Sequence, residues 1–194
     1  MRRGVLLDAA PATRNLGRLV VGRDDWAEGL DASTGGFLRS FAGPLMALPF
    51  ALAADAALSQ AAQPAAPRAA AALWVTGAGH LIDTVLYPLL VAAMVWRLGG
   101  KGGYGAFVVL INWMGFWLNL TLAATGLVVM AGAPAAVVQV GGFALFAGSL
   151  YLTWRAARET LTGEIGFSLA VVMLAFASEL GSYVAAAALV KVFG

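Results

Sequence analysis

Five apolar runs, each long enough to cross a lipid bilayer, constrain this chain more than any other feature of it. A spanning helix takes about 20 predominantly apolar residues, because ~30 Å of hydrocarbon is crossed at ~1.5 Å per residue. Phe37–Ser59, Ala69–Trp96, Tyr104–Met130, Pro134–Trp154 and Ile165–Val190 all meet that length. Hydrocarbon offers no partner to a backbone N–H or C=O, so such runs are helices that satisfy their own backbone. The separators "QAAQPAAPR", "RLGGKGGY", "AGAP" and "RAARETLTGE" read as loops, and the third is short enough to force a tight antiparallel hairpin. The expectation is an all-α polytopic membrane protein, with residues 1–36 as an N-terminal segment and 37–194 as a five-helix transmembrane domain.

Charge supports that reading and orients it. Only 11% of the residues are charged, against about a quarter in a soluble domain. The net charge of +2 is too small to argue for nucleic acid, but its distribution is informative. With the N-terminus in the cytoplasm, that side holds Arg2, Arg3, Arg14, Arg18, Arg23, Arg39, Arg97, Lys101, Arg155 and Arg158, and the far side holds only Arg68 and Lys191. Cytoplasmic flanks concentrate lysine and arginine, so the N-terminus is expected inside and the C-terminus outside. "GVLL" near the start is too short for the core of a cleavable signal, and polar sequence follows it.

Within the N-terminal segment, Thr13–Leu30 projects as an amphipathic helix. Leu16, Leu19, Val20, Trp26 and Leu30 share one face at 100° per residue, and Arg14, Arg18 and Asp25 lie opposite. Such a helix fits the cytoplasmic headgroup layer, with Trp26 at the interface and arginines toward anionic lipid. Gly17, Gly22 and Gly29 weaken the helix, leaving a loosely ordered basic tail as the alternative. Ser33 or Thr34 then offers a cap where the chain turns into the membrane.

The turn "RLGGKGGYGAFVVLINW" resembles the glycine-rich signature between the second and third helices of Yip1-domain membrane proteins. The stretch "VVGRDDWAEGLDASTGGFLRSFAGPLMALPF" is similar to the lead into the first span of bacterial, Yip1-like proteins of unassigned role. The resemblance covers about residues 14–192 and implies a five-span protein that associates with itself or with other membrane proteins. It carries no catalytic residue set. An alanine-rich, cysteine-free composition points to a bacterial inner membrane rather than to the vesicle traffic of the eukaryotic members.

Polar residues inside the spans need a reason, since a charge at the bilayer centre costs roughly 2.5–3.5 kcal/mol on insertion scales. Thr76, His80, Asp83 and Tyr87 recur at intervals of 4, 3 and 4 and so form one stripe on the second span. Asn112 and Asn119 share a face of the third span with Gly115, and Glu179, Ser182 and Tyr183 share a face of the fifth. Asp83, Asn119 and Glu179 fall at similar depth and are expected to converge inside the bundle, with Glu179 bonded to Asn119 and His80 donating to Asp83 or to a nearby carbonyl. One reading of His80, Asp83, Asn119 and Glu179 is a structural hydrogen-bond network; another is a site that holds or passes protons or cations. A divalent-metal site lacks any recognised ligand motif. Asp55 is expected to reach headgroups or water, and Arg39 to snorkel. Gly77, Gly141, Gly142, Gly148 and Gly181 are expected at helix–helix contacts.

The absence of cysteine removes disulfides, thiolate catalysis and cysteine-based metal sites. "GGKGGYG" lacks the spacing of a phosphate-binding loop, and no nucleophile elbow, zinc-protease helix or dinucleotide fingerprint appears. The chain therefore reads as a non-enzyme without a cofactor or metal. Its partners are the bilayer and either other membrane proteins or itself, in a scaffold, assembly or accessory role. The alternative is a small transporter or channel subunit that uses the polar cluster.

Overall fold

The computed structural model describes residues 5–62, 70–100 and 102–193, and every regular element among them is helical. The helices are α1 (Val5–Val20), α2 (Thr34–Ser40), α3 (Ala42–Ala62), α4 (Ala70–Leu98), α5 (Tyr104–Met130), α6 (Ala135–Ala157) and α7 (Ile165–Phe193), with a 3₁₀ turn at Asp24–Ala27 and a π turn at Arg158–Thr162. Among the described residues, five helical stretches are long and apolar enough to span a bilayer: Thr34–Gln60, Ala71–Leu98, Tyr104–Met130, Ala136–Thr162 and Ile165–Val192. The first joins α2 and α3 across a break at Phe41.

Local chemistry explains where the elements begin and end. Ser33 caps α2, its Oγ accepting from the Gly36 N–H at 3.2 Å. α5 and α6 are joined through Gly132 at φ +89°, a backbone conformation costly for other residues, which permits the tight hairpin.

The expected helix over Thr13–Leu30 needs correction: α1 begins at Val5 and stops at Val20. Gly22 lies at φ +78°, and the Gly22 and Arg23 N–H groups bond back to the Leu19 and Arg18 carbonyls at 3.2 and 3.0 Å. That is a Schellman stop, which satisfies the end of the helix and turns the chain. Trp26 and Leu30 consequently sit beyond the helix, yet they pack against the same core that buries Leu16 and Leu19. Val20 is exposed.

The spanning helices close a ring in the order α3, α4, α7, α6, α5. A Cβ at Gly43 would lie 2.8 Å from the Asn112 carbonyl oxygen, and one at Gly126 would lie 2.8 Å from the Ala57 Cβ. α3 and α5 therefore touch backbone to backbone and run parallel. α4 and α7 run antiparallel, since Tyr87 meets Val171, Asp83 meets Ser178 and Gly79 meets Ser182. The large buried side chains gather on the side carrying α1: Leu19, Val91, Phe107, Leu110, Trp113 and Leu161. On the opposite side, Ala51, Ala54 and Ala57 pack with Ala123 and Gly126, while Leu127, Val140, Phe143, Leu180 and Val184 face outward. Apolar residues facing outward suit lipid, which drives no burial, so backbone approach through small residues holds that half together.

Four of the five expected glycine contacts need correction. A Cβ at Gly141, Gly142, Gly148 or Gly181 would meet nothing within 4 Å, so these face open space. Between spanning helices the close approaches are at Gly43 and Gly126, and among the expected glycines Gly77 alone meets a neighbouring helix, against Leu48 and Leu52.

Candidate intramembrane polar site

The α4 stripe faces inward between two neighbours and divides its contacts between them. Thr76 donates to Asp55 Oδ2 at 2.7 Å, so Asp55 is held by α4 rather than left to headgroups or water. His80 Nε2 lies 2.9 Å from the Pro44 carbonyl oxygen, which can only accept, so that nitrogen carries the proton. One turn further, Asp83 accepts from the Ser178 hydroxyl, and the Tyr87 hydroxyl donates to the Val171 carbonyl at 3.3 Å. Thr76 and His80 thus bind α3, while Asp83 and Tyr87 bind α7. His80 reaches a carbonyl, as one of the two expectations held.

α5 contributes less than expected. Asn112 donates to Ser40 Oγ at 2.9 Å, and Ser40 in turn donates to the Phe37 carbonyl at 2.7 Å. Asn119 donates to the Gly115 carbonyl of its own helix at 2.9 Å, so the expected bond to Glu179 is absent and the three-residue convergence is corrected. The competing interaction is local: an amide side chain can reach the carbonyl four residues back without help from another helix.

Glu179 lies at the edge of the arc through which α7 packs. Ser178 and Ser182 flank its position on the side of α4, and Phe176 meets Phe146 of α6 on the other. Ser168, Val172 and Ala186 lie within about 20° of it on the helix wheel, and all three are buried. Glu179 itself is exposed, and Tyr183, one turn on, is exposed too. The packed arc of α7 therefore gives way to accessible surface at Glu179. Ser182 Oγ is buried without a hydrogen-bond partner. Among the described residues no three histidine, aspartate or glutamate side chains come together as a metal site would need.

At the membrane edge the polar groups form clasps that the residue pattern did not foretell. Asp31 accepts from Ser33 Oγ at 2.6 Å and from its N–H at 3.1 Å, and Arg39 reaches it at 2.6 Å instead of snorkelling free. The Ser33 bonds, helped by Arg39, hold the Asp31 carboxyl below its usual range. Arg23 grips Asp25 with two bonds of 2.8 Å, and that grip lowers the Asp25 carboxyl as well. Arg18 reaches Glu28 at 2.8 Å. Buried Asn15, with its amide oriented to donate, reaches the Trp26 and Glu28 carbonyls at 3.1 and 3.2 Å. The acidic run "DDWAEGLD", set between Arg18, Arg23 and Arg39, is the one sequence signal that hints at these clasps.

Comparison with known protein families, characterised proteins and solved structures finds no match to this chain.

Proposed function

We propose that this chain is a non-catalytic scaffold or accessory protein of a bacterial inner membrane, Yip1-like in layout, that associates with itself or with a larger membrane complex. The arginine and lysine distribution supports placing the α1 side in the cytoplasm. One observation supports the role above others: four polar pairs of the spans join neighbouring helices. Thr76 with Asp55, His80 with Pro44, Asp83 with Ser178, and Asn112 with Ser40 each fix one register. Interhelical bonds of this kind average only about 0.6 kcal/mol, so their main effect is specificity of packing. The wide apolar faces of α6 and α7 remain for lipid or a partner.

The first test is purification from the native membrane in mild detergent, with mass spectrometry of co-migrating proteins. A stoichiometric membrane partner, or a defined homo-oligomer, supports the scaffold; a chain that runs alone at every detergent concentration overturns it. Glu179, an accessible carboxyl within the last span one position from the Ser178 that binds Asp83, favours a second reading, a proton- or cation-conducting subunit. Flux in liposomes that is lost in Asp83→Asn and Glu179→Gln would establish that reading, and the absence of wild-type flux would remove it.

A further inference from the structure

We infer that the groove between α1, α5 and α6 is a lipid site, seating one acyl chain of an anionic phospholipid with Arg155 at its mouth for the phosphate. The groove has a volume of about 270 Å³ and is lined by Leu16, Val20, Trp117, Leu145, Gly148 and Leu152, among others. That is smaller than the cavities of drug-sized ligands and suits a single slender chain.

The lining disfavours a polar occupant. Its two hydroxyls, on Thr13 and Ser149, are already committed. Thr13 Oγ1 donates to the Ala9 carbonyl at 2.8 Å and accepts from Trp117 Nε1 at 2.7 Å. Ser149 Oγ donates to the Phe146 carbonyl at 2.8 Å. Both hydroxyl protons are spent, so a water or sugar there would find no donor and only the remaining lone pairs of these two oxygens, whereas hydrocarbon loses nothing.

Depth and length fit one leaflet. The α6 side of the groove runs from Ala144 to Leu152, about 12 Å at the helical rise. One leaflet of hydrocarbon is about 15 Å deep. Arg155 follows Leu152 by one turn, and its guanidinium lies against Gly22 at the end of α1, so both walls place the cation at the same end. Its contacts there are long, 3.3 Å to the Tyr151 hydroxyl and 3.6 Å to Glu159. A guanidinium has five donors in a planar fork suited to phosphate, and two loose contacts leave most of them available.

The test uses the full chain, purified and delipidated, titrated with phosphatidylglycerol or phosphatidylcholine and read by native mass spectrometry. Wild type should retain one phosphatidylglycerol per chain in preference to phosphatidylcholine. Gly148→Leu, which fills the groove at a position where a side chain meets nothing, should lower occupancy by both lipids about tenfold. Arg155→Gln should abolish the preference while leaving chain occupancy. Unchanged binding in Gly148→Leu overturns the site, as does a preference that survives Arg155→Gln. A Gly148→Leu effect on dimer mass instead of lipid mass assigns the groove to a second copy and also overturns it. Should Gly148→Leu fail to fold, the wild type decides through Trp117 at the groove wall. Chain-brominated phosphatidylglycerol should quench the fluorescence difference between wild type and Trp117→Phe more than brominated phosphatidylcholine does, and equal quenching overturns the proposal.

Discussion

Gly43 and Gly126 differ from the other glycines at contacts between spanning helices because a methyl group there has nowhere to go. At Gly43 the obstacle is the Asn112 carbonyl at 2.8 Å, which is backbone and does not rotate away. Gly43→Ala should therefore destabilise the α3–α5 contact by about 1–3 kcal/mol, the usual cost of overpacking. Gly141→Ala, which meets nothing, should be neutral or slightly stabilising. Reversible unfolding in mixed micelles distinguishes the two, and equal effects would contradict the close crossing. Asp31 makes a pH prediction. Its folded carboxyl lies below the unfolded value, which is about 3.9. The clasp with Ser33 and Arg39 therefore contributes fully above the unfolded pKa and is lost as pH falls through the lower folded one. Amide exchange at Gly36 and Phe37, normalised for intrinsic rate, should accelerate at acid pH in wild type. Asp31→Asn should flatten that dependence, and a persistent acid-sensitive step would implicate another group.

At the scale of elements, α1 is part of the main core although it is not one of the spans. Leu19 is wholly buried and Leu16 nearly so, against Phe107, Leu110 and Trp113 of α5. Leu19→Ala should weaken docking by about 2–4 kcal/mol, within the range for buried leucines. Protease cleavage between Val20 and Ser33 should then quicken while the spans stay intact; unchanged cleavage would place α1's anchorage elsewhere. The five spans, the Ser33 cap and the α4 stripe were all legible, because each rests on spacing within one helix or on residues adjacent in sequence. The end of α1 was not. Trp26 and Leu30 continue the apolar period of Leu16 and Leu19, and only the chain reversal at Gly22 shows that they reach the same core from a loop. Asn119 misled for a related reason: a helix wheel gives the direction of an amide but not its choice between a distant carboxyl and the Gly115 carbonyl. The clasps of Asp31 and Asp25 depend on turn geometry, which spacing alone does not encode.

Across the whole molecule, the ring pairs helices that are far apart in sequence. α4 meets α7 through Asp83 and Ser178, separated by 95 positions. Ser178→Ala should loosen this pair modestly, by about 0.6 kcal/mol and at most ~1.7. Asp83→Asn should preserve it, since an amide oxygen still accepts from the serine. Double-mutant cycles in a reversible micellar unfolding assay measure the difference, and a large Asp83→Asn loss with no flux phenotype would contradict a packing role. The same connectivity sets a timetable for synthesis. α3 cannot find its parallel partner until α5 has left the ribosome, and α4 waits until the last span for a hydroxyl to meet Asp83. A nascent chain ending at α6 would hold that carboxylate in the bilayer without its serine. Termination before α7 should therefore yield a species marked for membrane quality control, rather than a smaller working version of the protein.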